Sequence, residues 1–418
     1  MRMRDSGVEW IGDIPRDWDK LSIGQLFYQV KNKNSGLTES NLLSLSYGKI
    51  KRRDINSGEG LLPESFEGYN IVEKNDIVLR MTDLQNDHTS LRQGIATERG
   101  IVTSAYITIR ARNNINPRFA FYHFFAFDIN KGYYGMGSGV RQGVNYNDIK
   151  KLQIVAPDTE EQKKIANFLD SKIALIDQII ADTKRSIEEL KAYKQSLITE
   201  TVTKGLDSNV PMKDSGVEWI GEIPERWKNF LIGQLFKQVK DKNYGMVENN
   251  LLSLSYGKIK RRDITSGDGL LPASFEGYNI IEKDDIVLRM TDLQNDHTSL
   301  RQGLATERGI VTSAYITIRA TQKLDSRFVY YQLFGFDNNK GYYGMGSGVR
   351  QGVTFNDIKK LSLVMPKFEE QKKIADFLDQ KSVQVEKLIE KKQGIIAEYE
   401  SYKKSLIYEY VTGKKQVN

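Results

Sequence analysis

Fourteen consecutive residues, Arg80 to Gln93, hold almost every side chain that can hydrogen-bond to a base edge: Arg80, Thr82, Asp83, Gln85, Asn86, His88, Arg92 and Gln93. They follow an apolar, β-branched run, so the stretch reads as a loop leaving a strand. A second cluster, Tyr47-Gly-Lys-Ile-Lys-Arg-Arg53, places the cations Lys49, Lys51, Arg52 and Arg53 at a strand end, where they could neutralise phosphates. A third, Gly132 to Gly143, mixes glycines with Tyr133, Tyr134, Ser138, Arg141 and Gln142. Glycine lets backbone approach a phosphate, and tyrosine can stack or hydrogen-bond. Each cluster has a plainer reading as well: a polar surface loop, a solvated basic loop and a flexible hairpin.

All three clusters return 209 residues later. The first returns as Arg289, Thr291, Asp292, Gln294, Asn295, His297, Arg301 and Gln302. The basic cluster returns as Lys258, Lys260, Arg261 and Arg262, and the glycine-rich one as Tyr342, Tyr343, Ser347, Arg350 and Gln351. Duplication explains this recurrence, so it is no independent support for a role.

Catalytic chemistries fail on specific residues. With no cysteine there is no thiol catalysis, disulfide or thiolate metal site, and His88, His123 and His297 are too few for a metal cluster. Tyr133-Tyr-Gly-Met-Gly137 is like the aromatic-x-Gly-x-Gly loop of adenosylmethionine-dependent methyltransferases. Their catalytic motif needs paired prolines, and none of the eight prolines here adjoins another. The Gly-Lys pairs at Gly48, Gly257 and Gly413 lack the earlier glycine and the hydroxyl residue of a phosphate-binding loop. Pro157-Asp158 with Glu161-Gln-Lys163 mimics a nuclease signature at too short a spacing, and the copy has Lys367 in place of the aspartate. The sequence predicts a binding protein with no catalytic residue and no metal or cofactor of its own.

The elements that position these clusters follow from the repeat, which dictates architecture. Asp5-Ser-Gly-Val-Glu-Trp-Ile-Gly-Asp-Ile-Pro15 returns as Asp214-Ser-Gly-Val-Glu-Trp-Ile-Gly-Glu-Ile-Pro224, and 64 of the 70 positions from Leu42 to Ala111 are identical in the copy. Larger differences gather at Ser35–Ser40 and Arg112–Asn116, read as outer loops. Strands are predicted over Leu42–Tyr47, Asp76–Met81, Ile101–Ile109 and Asp148–Val155, and a buried helix over Pro117–Ala126 with proline in its first turn. Thr159-Glu-Glu-Gln162 reads as a capping box with Thr159 at N-cap. From there a heptad seam runs through Leu169, Ile173, Ile176, Ile180, Thr183, Ile187, Leu190, Lys194, Leu197 and Thr201. Its copy runs through Leu378, Ser382, Val385, Ile389, Lys392, Ile396, Tyr399, Lys403, Leu406 and Tyr410. Each helix would span roughly 60 Å. An amphipathic helix lying on its own domain is the alternative; mutual packing of the two helices is favoured, with a two-fold axis making them antiparallel and setting the two bodies at opposite ends of one rod.

The expected fold class is therefore α+β. Two repeated mixed α/β domains, 1–158 and 206–367, are separated by two long helical segments, 159–205 and 368–418, packed as an antiparallel coiled coil with pseudo-two-fold symmetry. The net charge is +7, and 39% hydrophobic with 28% charged residues is ordinary for a soluble chain. The small excess of cations fits a polyanion partner without demanding one. The first residues lack the apolar run of a signal peptide and no stretch suits a membrane span, which favours a cytoplasmic protein without a membrane partner.

Taken together these residues resemble the specificity subunit of type I restriction–modification systems, over nearly the whole chain. Three parts carry the resemblance: Asp5 to Pro15, the Gly-Ser-Gly-Val-Arg loop from Gly137, and Glu160-Glu-Gln-Lys-Lys-Ile165 opening the long helix. The resemblance implies two target-recognition domains that each read half of a bipartite site in double-stranded DNA, with the paired helices setting the gap. It implies docking of two modification subunits that methylate adenine with adenosylmethionine, which would flip the base, and joining by restriction/motor subunits that use ATP and Mg. None of these cofactors would sit on this chain. Members of the family commonly carry dissimilar recognition domains; near-identical ones predict a palindromic word, read on opposite strands about one helical turn, roughly 34 Å, apart. A free-standing symmetric DNA-binding regulator or restriction decoy is the other DNA-binding reading, and a coiled-coil scaffold without DNA binding is a third.

Overall fold

The computed structural model describes residues 2–54, 63–84, 91–112, 114–136, 143–263, 272, 274–291, 293, 300–345 and 352–417. The first repeat opens with β1 (Met3–Asp5), β2 (Asp13–Pro15), β3 (Asp19–Ser22), α1 (Ile23–Leu26) and β4 (Phe27–Val30). A hairpin follows, β5 (Leu43–Ser46) and β6 (Lys49–Arg52), then β7 (Asn70–Val72), β8 (Ile77–Leu79), β9 (Gln93–Ile95), β10 (Gly100–Val102) and β11 (Ile107–Ala111). It closes with α2 (Pro117–Ile129), α3 (Tyr146–Ile149), β12 (Gln153–Ala156) and the long α4 (Thr159–Lys204).

The second repeat has β13 (Met212–Asp214), β14 (Glu222–Pro224), β15 (Lys228–Leu231), α5 (Ile232–Leu235) and β16 (Phe236–Gln238). Next come β17 (Leu252–Ser255), β18 (Lys258–Arg261), β19 (Asn279–Ile281), β20 (Ile286–Leu288), β21 (Gln302–Leu304), β22 (Gly309–Val311) and β23 (Ile316–Ala320). It ends with α6 (Ser326–Asn338), α7 (Phe355–Ile358), β24 (Ser362–Met365) and the long α8 (Phe368–Val411).

In each repeat an antiparallel four-stranded sheet forms the base, in the order β4-β11-β8-β9 and β16-β23-β20-β21. Its central strand β8 is apolar without alternation, with Ile77, Val78 and Leu79 all buried, because both faces are covered. The run Ile101–Ile109 is two strands rather than the one predicted. β10 and β11 are separated by a turn in which Tyr106 N–H bonds Thr103 O at 3.1 Å. The strand predicted from Asp148 starts only at Gln153, since Asn145 begins a helical turn whose Asp148 carboxylate accepts the Asn145 N–H at 3.1 Å. Helix α2 starts as its proline foretells: Asn116 Oδ1 accepts from Arg118 N and Phe119 N at 3.0 and 3.2 Å.

Packing gathers these elements into two compact units: Met1–Lys184 with Gln393–Asn418, and Arg185–Lys392. The four-part division by sequence follows secondary structure, whereas packing cuts both long helices. In the first unit Leu406, Ile407 and Val411 of α8 are buried in the same core as Trp18, Phe119, Leu169 and Ile176. In the second, Ile198 and Val202 of α4 join the core of Trp227, Phe328, Ile374 and Leu378. Within each unit the two helical segments run antiparallel. Phe168 meets Tyr410 with ring centroids 4.6 Å apart and Asp177 meets Lys403 at 2.6 Å, so one numbering rises as the other falls. All the seam positions predicted from the heptads are buried or half-buried.

The start of α4 corrects the capping expectation. Asp158, not Thr159, is the cap: its Oδ1 accepts from Glu160 N and Glu161 N, each at 2.9 Å. Gln162 instead reaches out of the helix, accepting the Asn116 N–H at 2.8 Å and donating to Pro157 O at 2.9 Å.

Candidate nucleic-acid interface

The basic cluster lies on the β5–β6 hairpin and its copy, β17–β18. Alternating Leu43 and Leu45 face inward, and Leu45 pairs with Ile50. The hairpin sits directly on β9: a Cβ added at Gly94 would lie 2.5 Å from Leu45 Cδ1. Its two-residue turn, Tyr47-Gly48, has φ of 46° and 74°, and Tyr256-Gly257 has 48° and 75°. Paired positive φ values suit the twist of adjoining strands, and a tyrosine is an unusual occupant of the first position. Tyr47 is 72% exposed and Tyr256 74%. Sequence reasoning passed over these rings as interface residues. The signal was there in an aromatic-glycine pair lying between an alternating strand and a cationic one.

The four cations of each hairpin divide by role. Lys49 donates to Asp177 of α4 at 3.2 Å, and Lys258 to Glu386 of α8 at 2.6 Å. Arg52 bonds Glu98 through Nε at 2.8 Å, and Arg261 bonds Glu307 at 2.9 Å; each arginine holds its glutamate below the usual carboxylate range. Lys51 and Lys260 are exposed, as is Arg262, while Arg53 is half-buried. Lys49, Arg52, Lys258 and Arg261 thus face carboxylates of their own unit while their side chains stay largely exposed.

The loop after β8 is anchored by residues once read as DNA contacts. Arg92 and Gln93 are fully buried, as are Arg301 and Gln302. The Arg92 guanidinium donates to Thr82 O at 2.9 Å and Asp83 O at 3.3 Å, and its backbone N–H donates to Asp128 at 2.8 Å. Arg301 bonds Thr291 O at 2.9 Å, and its N–H bonds Asp337 at 2.8 Å. The two arginine side chains hold the residues that follow β8 and β20, and burial of all four side chains corrects their assignment as base or phosphate ligands. Burial pushes the Asp128 carboxyl up to about 6, against the opposing pull of Arg92. Thr82, Asp83 and Thr291 are exposed, and Arg80 and Arg289 half-buried. Gln85, Asn86, His88, Asp292, Gln294, Asn295 and His297 lie outside the described residues.

Of the glycine-rich cluster, Tyr133 and Tyr342 are fully buried, edge-on to Phe127 and Phe336 at 4.8 Å, and this corrects their reading as stacking surfaces. Tyr134 and Tyr343 are half-buried. Lys131 stands 4.8 Å from the Tyr134 ring centroid and Lys340 5.0 Å from that of Tyr343. Ser138, Arg141, Gln142, Ser347, Arg350 and Gln351 lie outside the described residues. In the first unit Tyr47 and Tyr134 line one cleft of about 590 Å³ with Lys131, Asp177, Lys184 and Lys403. In that unit the structure therefore brings the hairpin tip and Tyr134 together. Among the described residues no helix is long and apolar enough to cross a membrane.

The family model described as "Type I restriction modification DNA specificity domain" matches twice, over residues 15–189 and 224–398. A putative type I restriction enzyme specificity subunit of Methanocaldococcus jannaschii is 24% identical, covering 97% of this chain and 96% of its own. A chain from a structural study of assembly and conformational transition in the type I R-M system aligns with a TM-score of 0.70 at 13% identity, over 96% of this chain and 99% of that one. The HsdS subunit from Thermoanaerobacter tengcongensis aligns with a TM-score of 0.50 at 13% identity, over 96% and 98%. At such identity the last two speak for the fold.

Proposed function

The chain belongs to the family of type I restriction modification DNA specificity domains, and from that premise we propose that it reads a bipartite, palindromic DNA site through two near-identical domains. It is the specificity subunit of such a system, a DNA-recognition component rather than an enzyme, working with the system's other subunits. In the proposed reading it docks two modification subunits that methylate adenine. Adenosylmethionine, ATP and Mg act on those subunits and on the restriction subunits, not on this chain.

The observation that carries the palindrome is the sameness of the two readers. Sixty-four of 70 positions agree between Leu42 and Ala111, and both units present the same hairpin with an exposed tyrosine at its tip. Two readers of near-identical sequence are expected to take the same word, once on each strand. Methylome sequencing of a host carrying the system is expected to show adenine methylation in an inverted-repeat motif interrupted by a fixed gap. Two different half-site words would overturn the equal-readers reading.

A further inference from the structure

The lysines in the helix seam serve a purpose that an apolar seam would not need. In the first unit Asp177 of α4 accepts from Lys403 of α8 at 2.6 Å and from Lys49 of the hairpin at 3.2 Å. In the second unit Glu386 of α8 accepts from Lys194 of α4 at 2.7 Å and from Lys258 of the hairpin at 2.6 Å. The two acids are one repeat apart, and so are the two seam lysines. The acid itself differs, aspartate in one unit and glutamate in the other, yet the bridge persists, so it does not simply follow from identical sequence.

The seam lysine side chains are only 20% and 22% exposed. A half-buried ammonium needs a counter-ion, and a polar pair inside a helix seam fixes register. Burial raises both carboxyls, but the two ammoniums on each outweigh it and hold them below the ordinary range. The remaining arm of each triad ties the hairpin to the helices.

We propose that the triads Lys49–Asp177–Lys403 and Lys258–Glu386–Lys194 are positioning devices that lock each recognition hairpin to its helix pair and so make the subunit demand one gap between half-sites. The inference rests on the two-part reading above. A gap longer by one base pair moves a half-site by about 3.4 Å along the axis and roughly 35° around it. Freedom of a few ångströms between hairpin and helix therefore decides whether a wrong gap is accepted. On this account Lys49 and Lys258 set geometry, while Lys51 and Lys260, two residues on along the same strand face, remain exposed toward solvent.

The test uses the full chain with its modification subunits in a host, reading gap lengths among methylated genomic sites. Wild type is expected to mark one gap. The charge reversal D177K with E386K is expected to raise methylation at gaps one base pair longer or shorter by about fivefold or more, while the half-site words stay the same. Inverting both triads (K49E, D177K, K403E with K258E, E386K, K194E) is expected to restore the single gap. A phosphate-binding Lys49 would instead leave the inverted protein unable to methylate, which overturns the proposal. A single retained gap after charge reversal also overturns it. Where reversal abolishes methylation altogether, K49Q with K258Q decides, because it removes only the exposed arms: broadened gaps support the proposal and one gap overturns it. If wild type itself marks no two-part motif, the two-part reading fails first, before any variant is made.

Discussion

Gln162 Oε1 accepts the backbone N–H of Asn116 at 2.8 Å, joining the first turn of α4 to the cap of α2 across 46 residues of chain. The second unit repeats the bond between Gln371 and Asp325 at 3.0 Å, and both glutamines are almost fully buried. The amide also donates to Pro157 O, or to Pro366 O in the copy, so a single side chain satisfies one donor and one acceptor of the backbone. Q162A is expected to lower the stability of the first unit by about 1–3 kcal/mol by stranding both groups. Q162E is expected to fare no better than Q162A at neutral pH, because a carboxylate cannot donate to Pro157 O. Urea denaturation of the full chain measures both.

One ion pair of the second unit has no counterpart in the first, and the difference predicts a stabilising change. In the second, Arg226 bonds Glu370 at 2.7 Å, and Trp227 Nε1 donates to the same carboxylate at 3.2 Å. In the first, Asp17 takes the place of the arginine. Burial, then repulsion from Asp17 and Asp158, raises the Glu161 carboxyl, and Trp18 Nε1 is buried without a partner. D17R is expected to gain about 0.5–1 kcal/mol. A carboxyl raised in the folded state loses stability as pH rises through its folded pKa. The gain from D17R is therefore expected to be larger at pH 7 than at pH 4, read as the thermal midpoint at each pH.

A second difference sets acid sensitivity. His123 is fully buried, accepts Val155 N–H at 3.3 Å and lies 5.1 Å from the Trp10 ring; burial pushes its pKa down to about 3. At the equivalent position Gln332 bonds both Val364 N and Val364 O and cannot titrate. Because the folded pKa is depressed, the histidine's contribution is complete above its unfolded value of about 6.5 and is lost as pH falls toward 3. H123Q is expected to lower the midpoint of acid unfolding in the first unit by roughly one pH unit, followed by tryptophan fluorescence.

The repeat and the long helices were legible because they are one-dimensional: a fixed offset and a heptad need no knowledge of neighbours. Strand boundaries were blurred where a turn such as Thr103–Tyr106 hid inside a β-branched run. The site was half legible. Arg92 and Tyr133 carry the chemistry of an interface, but Asp128 and Phe127, brought in by α2, draw them inside. Lys194 and Lys403 read from sequence as polar interruptions of the seam; the facing helix supplies the acid of each, Glu386 and Asp177. Composition shows what a residue can bond; only packing decides which partner arrives.

The shared helices make a prediction for an isolated half. Residues 1–209 lack Leu406, Ile407 and Val411, which complete the first core, but carry their equivalents Leu197, Ile198 and Val202. The fragment is expected to dimerise at micromolar concentration, each copy lending the other those residues. I198D with V202D is expected to leave it monomeric by analytical ultracentrifugation.

The same sharing sets an order of birth. On the ribosome the unit spanning Arg185–Lys392 has all its residues once Lys392 emerges. The unit that begins at the N-terminus must wait, because Tyr408 still has to reach Trp10 O at 3.2 Å and Leu406, Ile407 and Val411 still have to fill its core. Domains usually finish in the order they are made. Here the unit whose residues come first is finished last, and loss of Leu406, Ile407 and Val411 would damage a core built mostly from residues more than 200 positions earlier.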